Sequence, residues 1–230
     1  MGVWIWSRVL LSWFSYKKKG DFVLKVLLVN GSPKEKGSTY VSLCEIASAL
    51  EKQGVESEFF HIGTGAIQGC IACVKCKKTG KCAFDDDLYN SLAAKIEAAD
   101  GIVIGSPVYF AGPNGSLCAL LDRVFYTSRD KFKHKPGAAV VICRRGGASA
   151  AFDRLNKYFT ISHMPVVPSQ YWNCVHANKP SDIKLDLEGL QTMRTLANNM
   201  AWLIKCIKSG SAPPEPEKER MVTSFPDGKA

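Results

Sequence analysis

Histidine is scarce in this 230-residue chain. Its four copies, His61, His134, His163 and His176, share no metal-ligand spacing, and the sequence contains no evident nucleophile–base pair. A hydrolytic triad and a histidine-built metal centre are therefore excluded as organising themes. Two phosphate motifs are missing as well. Gly31 and Gly37 are separated by five residues and followed by Ser38 and Thr39, which breaks the Gly-x4-Gly-Lys-Ser/Thr pattern, and no Gly-x-Gly-x-x-Gly occurs. Long apolar runs are also lacking. Met1 to Tyr16 is rich in Trp, Leu, Val and Ile, but Arg8 falls in its middle, and a membrane span needs about 20 apolar residues. Lys17 to Lys19 follow the apolar stretch, whereas a signal peptide carries its charge before it. Residues 1–23 are thus expected to form an extension outside the core, either an interfacial helix or a non-native start. Val23 or Leu24 fits an alternative bacterial start codon just before the first strand.

Charge and cysteine usage narrow the class further. The formal net charge of +9 includes +4 from the first twenty residues and −1 from Ser209 onward, leaving +6 for the rest. With no nucleic-acid motif and no basic–aromatic stripe, this reads as a solvated basic surface that also suits the phosphates of NADPH, and neither a nucleic acid nor a membrane is expected as partner. Nine cysteines, an odd number with four crowded into Cys70 to Cys82, point to a reducing compartment, the cytoplasm. The tail, residues 209–230, contains SAPPEPEKER and no apolar period, as expected of a disordered segment.

What is present begins at KVLLVNGSPKEKGST, Lys25 to Thr39. Lys25 to Asn30 is a short apolar run of the kind a parallel sheet buries on both faces, and a turn rich in glycine and hydroxyls follows it. The open N–H groups of the next helix, its dipole and the hydroxyls of Ser32, Ser38 and Thr39 suit a phosphate dianion; an ordinary β-to-α turn is the competing reading. Tyr40, Leu43, Cys44, Ala47 and Leu50 recur at helical spacing, and Gly54 stops that helix before a second strand within Val55–Ile62. Ala98 to Phe110 holds another buried strand ending in Gly-Ser-Pro, followed by a helix with Leu117, Leu120, Leu121, Val124 and Phe125 on one face. Gly137 to Cys143 is a third apolar run, ending in Arg144, Arg145, Gly146 and Gly147. Pro165 to Trp172 is expected as the last strand. Asp186 is placed to cap a long helix whose stripe is Leu190, Met193, Ala197, Met200, Ile204 and Ile207. Strands alternating with helices imply a parallel sheet, with ligands beyond the carboxyl ends of its strands.

Cys70, Cys73, Cys76 and Cys82 form a C-x2-C-x2-C-x5-C run. Three thiols so closely spaced can wrap one face of a metal cluster while a fourth completes it; a structural zinc site more often joins two separated pairs, and a redox disulfide is the third reading. Cys44, Cys118, Cys143, Cys174 and Cys206 fall mostly in apolar settings and read as small core residues.

GSPKEKGST, GSPVYFAGPNG and RRGGA follow successive strands in this order, and Tyr171-Trp172-Asn173 and Leu187 to Arg194 follow later. In these motifs the chain resembles the NAD(P)H-dependent FMN reductase family over roughly Lys25 to Ser209, and its cysteine run resembles that of the iron-sulfur flavoproteins. The resemblance implies a flavodoxin-like α/β domain over residues 24–208, with a doubly wound five-stranded parallel sheet in the order 2-1-3-4-5. It implies that Ser32, Ser38 and Thr39 hold the FMN phosphate with Lys34 at its edge. Pro107, Val108, Tyr109, Phe110 and Gly112 then border the isoalloxazine ring, and Gly146 and Gly147 close its other edge. Core packing is the alternative for Tyr109 and Phe110. The cysteines, by the same likeness, hold a [4Fe-4S] cluster.

The implied activity is transfer of reducing equivalents from NAD(P)H through FMN to a small acceptor such as a quinone, a nitroaromatic or a flavin. A flavin carries the redox chemistry itself, which agrees with the missing triad. The alternatives are an iron-sulfur flavoprotein electron carrier served by a ferredoxin-like partner, and a non-enzymatic flavin-binding module. Arg144 and Arg145 suit either a 2′-phosphate or solvent, and His176 either a structural place or proton donation. A homodimer or homotetramer is implied, with Phe125, Tyr126, Tyr171 and Trp172 as aromatic contributors.

Overall fold

A computed structural model describes residues 23–215, 217 and 221. The N-terminal extension up to residue 22 and part of the tail lie outside the described residues. The chain runs β1 (Lys25–Asn30), α1 (Ser38–Lys52), β2 (Glu56–His61), α2 (Lys75–Thr79), α3 (Asp87–Ala98), β3 (Gly101–Tyr109), β4 (Gly112–Pro113), α4 (Gly115–Phe132), β5 (Gly137–Cys143), α5 (Ala148–Thr160), β6 (Cys174–His176), a 3₁₀ turn (Pro180–Leu185) and α6 (Leu187–Ser209).

The sheet order is β2-β1-β3-β5-β6, parallel throughout, with the two-residue β4 paired antiparallel to β3. With β4 set aside, this is the expected 2-1-3-4-5 order. Strand β1 shows why the sheet must be covered twice: Val26, Leu27, Leu28 and Val29 are all fully buried. Because side chains alternate across a strand, Val26 and Leu28 join a core with Leu43, Ile46 and Leu50 of α1 and Met193, Leu196 and Met200 of α6. Leu27 and Val29 join the opposite core with Leu92 and Ile96 of α3, Leu117, Leu120 and Leu121 of α4 and Leu155 and Phe159 of α5. Each such side chain contributes about 1.5–3 kcal/mol by leaving water.

The helices start where their first residues demand it. Asp186 caps α6 by accepting from the N–H of Gly189 at 2.9 Å, as its position before the apolar stripe foretold. Asn114 caps α4, accepting from Ser116 N–H at 3.2 Å. Asp86 caps α3 through Tyr89 N–H at 2.8 Å.

Several expectations are corrected. Pro165 to Trp172 forms no strand: Val166 makes an isolated bridge to Gly137, and the last strand is β6, just beyond. Pro165 and Pro168 have no N–H to give a ladder, so the segment cannot pair continuously. The buried stripe of α1 is Thr39, Ser42, Leu43, Ile46, Ala49 and Leu50, with Tyr40, Cys44 and Ala47 on its flank. Phe125 does not serve a subunit boundary. It is 3% exposed and packs against Phe132, Tyr158 and Phe159. Ile207 and Cys206, at the last turn of α6, are exposed, outside the stripe and the core assigned to them.

Gly137 begins β5 where the ring of Phe159 closes over the backbone, and a Cβ there would stand 2.5 Å from the ring. Gly137→Ala is expected to lower stability by about 1–3 kcal/mol, the cost of overpacking a filled core. Urea unfolding followed by circular dichroism measures it, as a lower midpoint at an unchanged m-value.

Candidate functional site

Strand order reverses between β1 and β3, so the chains leaving their carboxyl ends turn away from each other and open a crevice. Three loops meet at it. In the first, Gly31–Gly37, the Asn30 side chain stitches the turn: its Oδ1 accepts from Ser32 N–H at 3.1 Å and its Nδ2 donates to Glu35 C=O at 2.8 Å. Ser32, 5% exposed, accepts from Lys34 N–H at 3.1 Å. His61, at the end of β2, bonds the Ser32 carbonyl through Nε2 at 2.8 Å.

The loop delivers Ser38 and Thr39 to the start of α1. Gly37 caps that helix without any side-chain hydrogen bond, and the first turn holds no acidic residue. The positive end of the helix is therefore neither capped by a side chain nor neutralised by a carboxylate, the condition an anion requires. Thr39 is almost fully buried, and a Cβ on Gly105 would come within 2.9 Å of its methyl group.

The second loop is a hairpin extension of β3. Val108 pairs with Pro113 and Tyr109 with Gly112, leaving Phe110 and Ala111 as a two-residue tip. Both tip residues have positive φ, 49° and 60°. Such a turn normally draws on glycine or asparagine, and side-chain-bearing residues in the left-handed region cost about 1–3 kcal/mol each, so the tip is strained. Phe110 is fully exposed and Tyr109 is 45% exposed, which overturns core packing for both. Asn114 ties this loop to the first: its Nδ2 donates to Gly31 C=O at 2.7 Å and its backbone N–H to Ser106 Oγ at 2.9 Å.

The third loop, Arg144–Gly147, closes on the second. Gly147 has φ +86°, and a Cβ on it would lie 2.6 Å from the Ala111 Cα and 3.2 Å from a Val108 methyl. Its hydrogen is what lets the two loops touch. The structure thus brings the segments of Ser32, Lys34, Ser38 and Thr39, of Pro107 to Gly112, and of Gly146 and Gly147 to one end of the sheet. Asn30, His61 and Asn114 organise these loops, and of the three only Asn114 falls inside one of the motifs that carry the resemblance, GSPVYFAGPNG. Asn114 alone had a legible signal, an asparagine directly before a helical run.

The cysteines occupy a different place. Cys70, Cys73, Cys76 and Cys82 line one recess with Ile71, Val74, Phe84, Arg123 and Tyr126, on the outer side of α4. Cys70 and Cys73 are exposed, Cys76 and Cys82 half-buried, and among the described residues all nine cysteines from Cys44 to Cys206 are free thiols. Four thiols on one recess are a donor set suited to an iron-sulfur cluster. Among the described residues, no three His, Cys, Asp or Glu side chains are already gathered at the spacing of a single metal ion. The remaining thiols differ in kind: burial pushes Cys118, Cys143 and Cys174 up, which keeps them protonated. His176 is the last residue of β6, exposed, with Nδ1 at 3.7 Å from Asp186, in a shallow recess shared with Arg144. Among the described residues no helix is long and apolar enough to cross a membrane.

The doubly wound sheet with three convergent loops at its switch point defines a flavodoxin-like protein. A solved flavodoxin-type, WrbA-like protein from Agrobacterium tumefaciens superposes with a TM-score of 0.55 at 15% identity, over 80% of this chain and 98% of the other. RosB, solved with 8-demethyl-8-formylriboflavin-5′-phosphate, superposes with a TM-score of 0.66 at 14% identity, over 88% and 95%. Residues 24–179 match the NADPH-dependent FMN reductase family, and the chain belongs to it. An iron-sulfur flavoprotein of Methanocaldococcus jannaschii is 34% identical over 197 residues, 80% of this chain and 100% of the relative. The chain is accordingly an FMN-dependent oxidoreductase that uses NAD(P)H.

The contact at Gly147 gives a direct test. Gly147→Ala is expected to part the second and third loops and to weaken FMN binding about tenfold or more, since both left-handed strain and collision with Ala111 oppose the added methyl. Flavin fluorescence titration of the apoprotein measures the affinity, and near-wild-type unfolding would confirm that the effect is confined to the site.

Proposed function

We propose that the chain passes reducing equivalents from NAD(P)H to a small acceptor, a quinone, a nitroaromatic or a flavin. The observation that carries this reading is the meeting of three loops at the crevice, beside an α1 N-terminus that no side chain caps. Ser32, Ser38 and Thr39 hold the FMN phosphate there, with Lys34 at its rim. Pro107, Val108, Tyr109, Phe110 and Gly112 flank one side of the isoalloxazine ring, and Gly146 and Gly147 the other. FMN held by these residues would supply the redox chemistry that links a nicotinamide to the acceptor. The protein's part is to bind, orient and limit water. The Asn30, Asn114 and His61 contacts fix the loop backbones before the ligand arrives, which lowers the ordering cost of binding.

Because Tyr109 and Phe110 stand in solvent in one chain, a second copy covers them, in a dimer or tetramer that also uses the exposed Tyr126, Tyr171 and Trp172. The odd, unpaired cysteines suit a cytoplasmic site of action.

A second reading is favoured by one observation, the gathering of four thiols on one recess. In it Cys70, Cys73, Cys76 and Cys82 hold a [4Fe-4S] cluster, and the protein is an electron carrier served by a ferredoxin-like partner, in line with the name of its Methanocaldococcus relative.

Anaerobic stopped-flow mixing with NADPH or NADH tests the first reading: flavin absorbance is expected to bleach within the catalytic cycle, with ping-pong kinetics toward a quinone. Absence of bleaching by either nucleotide, with bleaching by dithionite, would move the assignment to the carrier. Cys73→Ser separates the two further. Full reductase activity and unchanged flavin content place the cluster outside the reaction, whereas loss of iron together with electron transfer places it inside.

A further inference from the structure

Arg123 is fully buried yet lies outside the flavin crevice, in the middle of α4. Its guanidinium is divided among four partners. Nε points to the Cys82 Sγ at 3.4 Å, Nη1 donates to Gln68 C=O at 3.3 Å, Nη2 donates to Phe84 C=O at 2.5 Å, and Nη2 also pairs with the Asp86 carboxylate. The planar cation is further stacked against the Tyr89 ring at 5.0 Å and the Phe84 ring at 5.6 Å.

We propose that Arg123 is the positioning residue of the cysteine recess, clamping both ends of the segment Gln68–Asp86 onto α4 and presenting a charged N–H to the Cys82 sulfur. The proposal rests on the reading of the four thiols as a cluster site. Three features make the clamp necessary. The segment has little core of its own: its one helix, α2, is five residues long and buries none of them. Two of its side-chain-bearing residues, Ala72 and Val74, hold positive φ, so its path is strained and needs an external hold. A desolvated guanidinium costs several kcal/mol unless each side is met, and here it is met on every side by groups of this segment and the start of α3. Lysine cannot replace it, because a single ammonium lacks the fork that reaches Gln68, Cys82 and Phe84 together. Hydrogen bonds to ligand sulfur and local net charge set the reduction potential of an iron-sulfur centre, and a cationic donor favours the reduced, more negative state.

The test uses the full chain, purified without oxygen, with Arg123→Lys and Arg123→Met beside the wild type. Bound FMN, iron and acid-labile sulfide are counted, and the cluster is titrated by electron paramagnetic resonance. Both variants are expected to bind FMN at wild-type stoichiometry. Iron falls by half or more in Arg123→Met, and the iron retained in Arg123→Lys is reduced at a lower potential than in the wild type. Wild-type iron content and potential in both variants would overturn the assignment. Amide hydrogen exchange of the metal-free protein keeps the clamp testable if the wild type itself takes up no iron, the outcome that removes the cluster reading alone. Exchange at least tenfold faster across residues 68–86 in Arg123→Met, with the sheet unchanged, sustains the clamp; equal exchange removes it. Should Arg123→Met fail to fold, Arg123→Lys carries the same readings.

Discussion

A parallel sheet whose strands are buried on both faces leaves its loops one free edge at which to do chemistry. Here Val26 to Val29 alternate between two separate cores, so helices must cover both sides, and each crossover returns the chain to the same edge. The crevice between β1 and β3 follows from the point at which those crossovers change side. The hydroxyls of the first loop, the hairpin tip of the second and the glycines of the third are brought together by this constraint. No direct attraction among them is needed. Asn114 and Gly147 then hold the loops at contact distance, one by hydrogen bonding to Gly31 and the other by lacking a side chain against Ala111.

Helix α4 links the two candidate centres. Its first turn follows directly from the hairpin loop at the crevice, and Arg123 lies eight residues beyond Gly115, about 12 Å along the axis at the normal helical rise. Buried Leu117, Leu120, Leu121 and Val124 fix the helix on the sheet, so the cysteine recess inherits its position from the same packing that places the second loop. The acidic partner of Arg123 is tuned by the arrangement too. Burial raises the Asp86 carboxyl, but the Tyr89 N–H and the guanidinium outweigh it and hold it below the usual carboxylate range. Because the folded value is depressed, this contribution is present above the unfolded value near pH 4 and fades as the pH drops through the folded one.

Most of the sheet was legible from the apolar runs at Lys25, Ala98 and Gly137, because strands buried on both faces leave a continuous hydrophobic signal. The final strand was not. Only Cys174 to His176 pair, too short to carry a period, while the apolar run before them is held apart by two prolines. Periodicity also misjudged α1, where Thr39 and Ser42 are buried through tertiary packing that their polarity conceals. At the site, the hydroxyls and glycines announced themselves by loop position after each strand. Asn30 and His61 did not, since their roles depend on contacts across the turn. Arg123 was invisible for a similar reason: on an apolar helix face it reads as a solvated charge, and its partners lie 37 to 55 residues away in the chain.

The left-handed tip at Phe110 and Ala111 has a further consequence. An aromatic ring held out by backbone geometry has no neighbours to leave when something settles on it, and its chain path is already fixed by the β3–β4 pairing. Such a ring behaves as a preset probe. A surface that meets it gains the apolar contact almost in full, with little conformational entropy left to lose, and can depart again without disturbing either core.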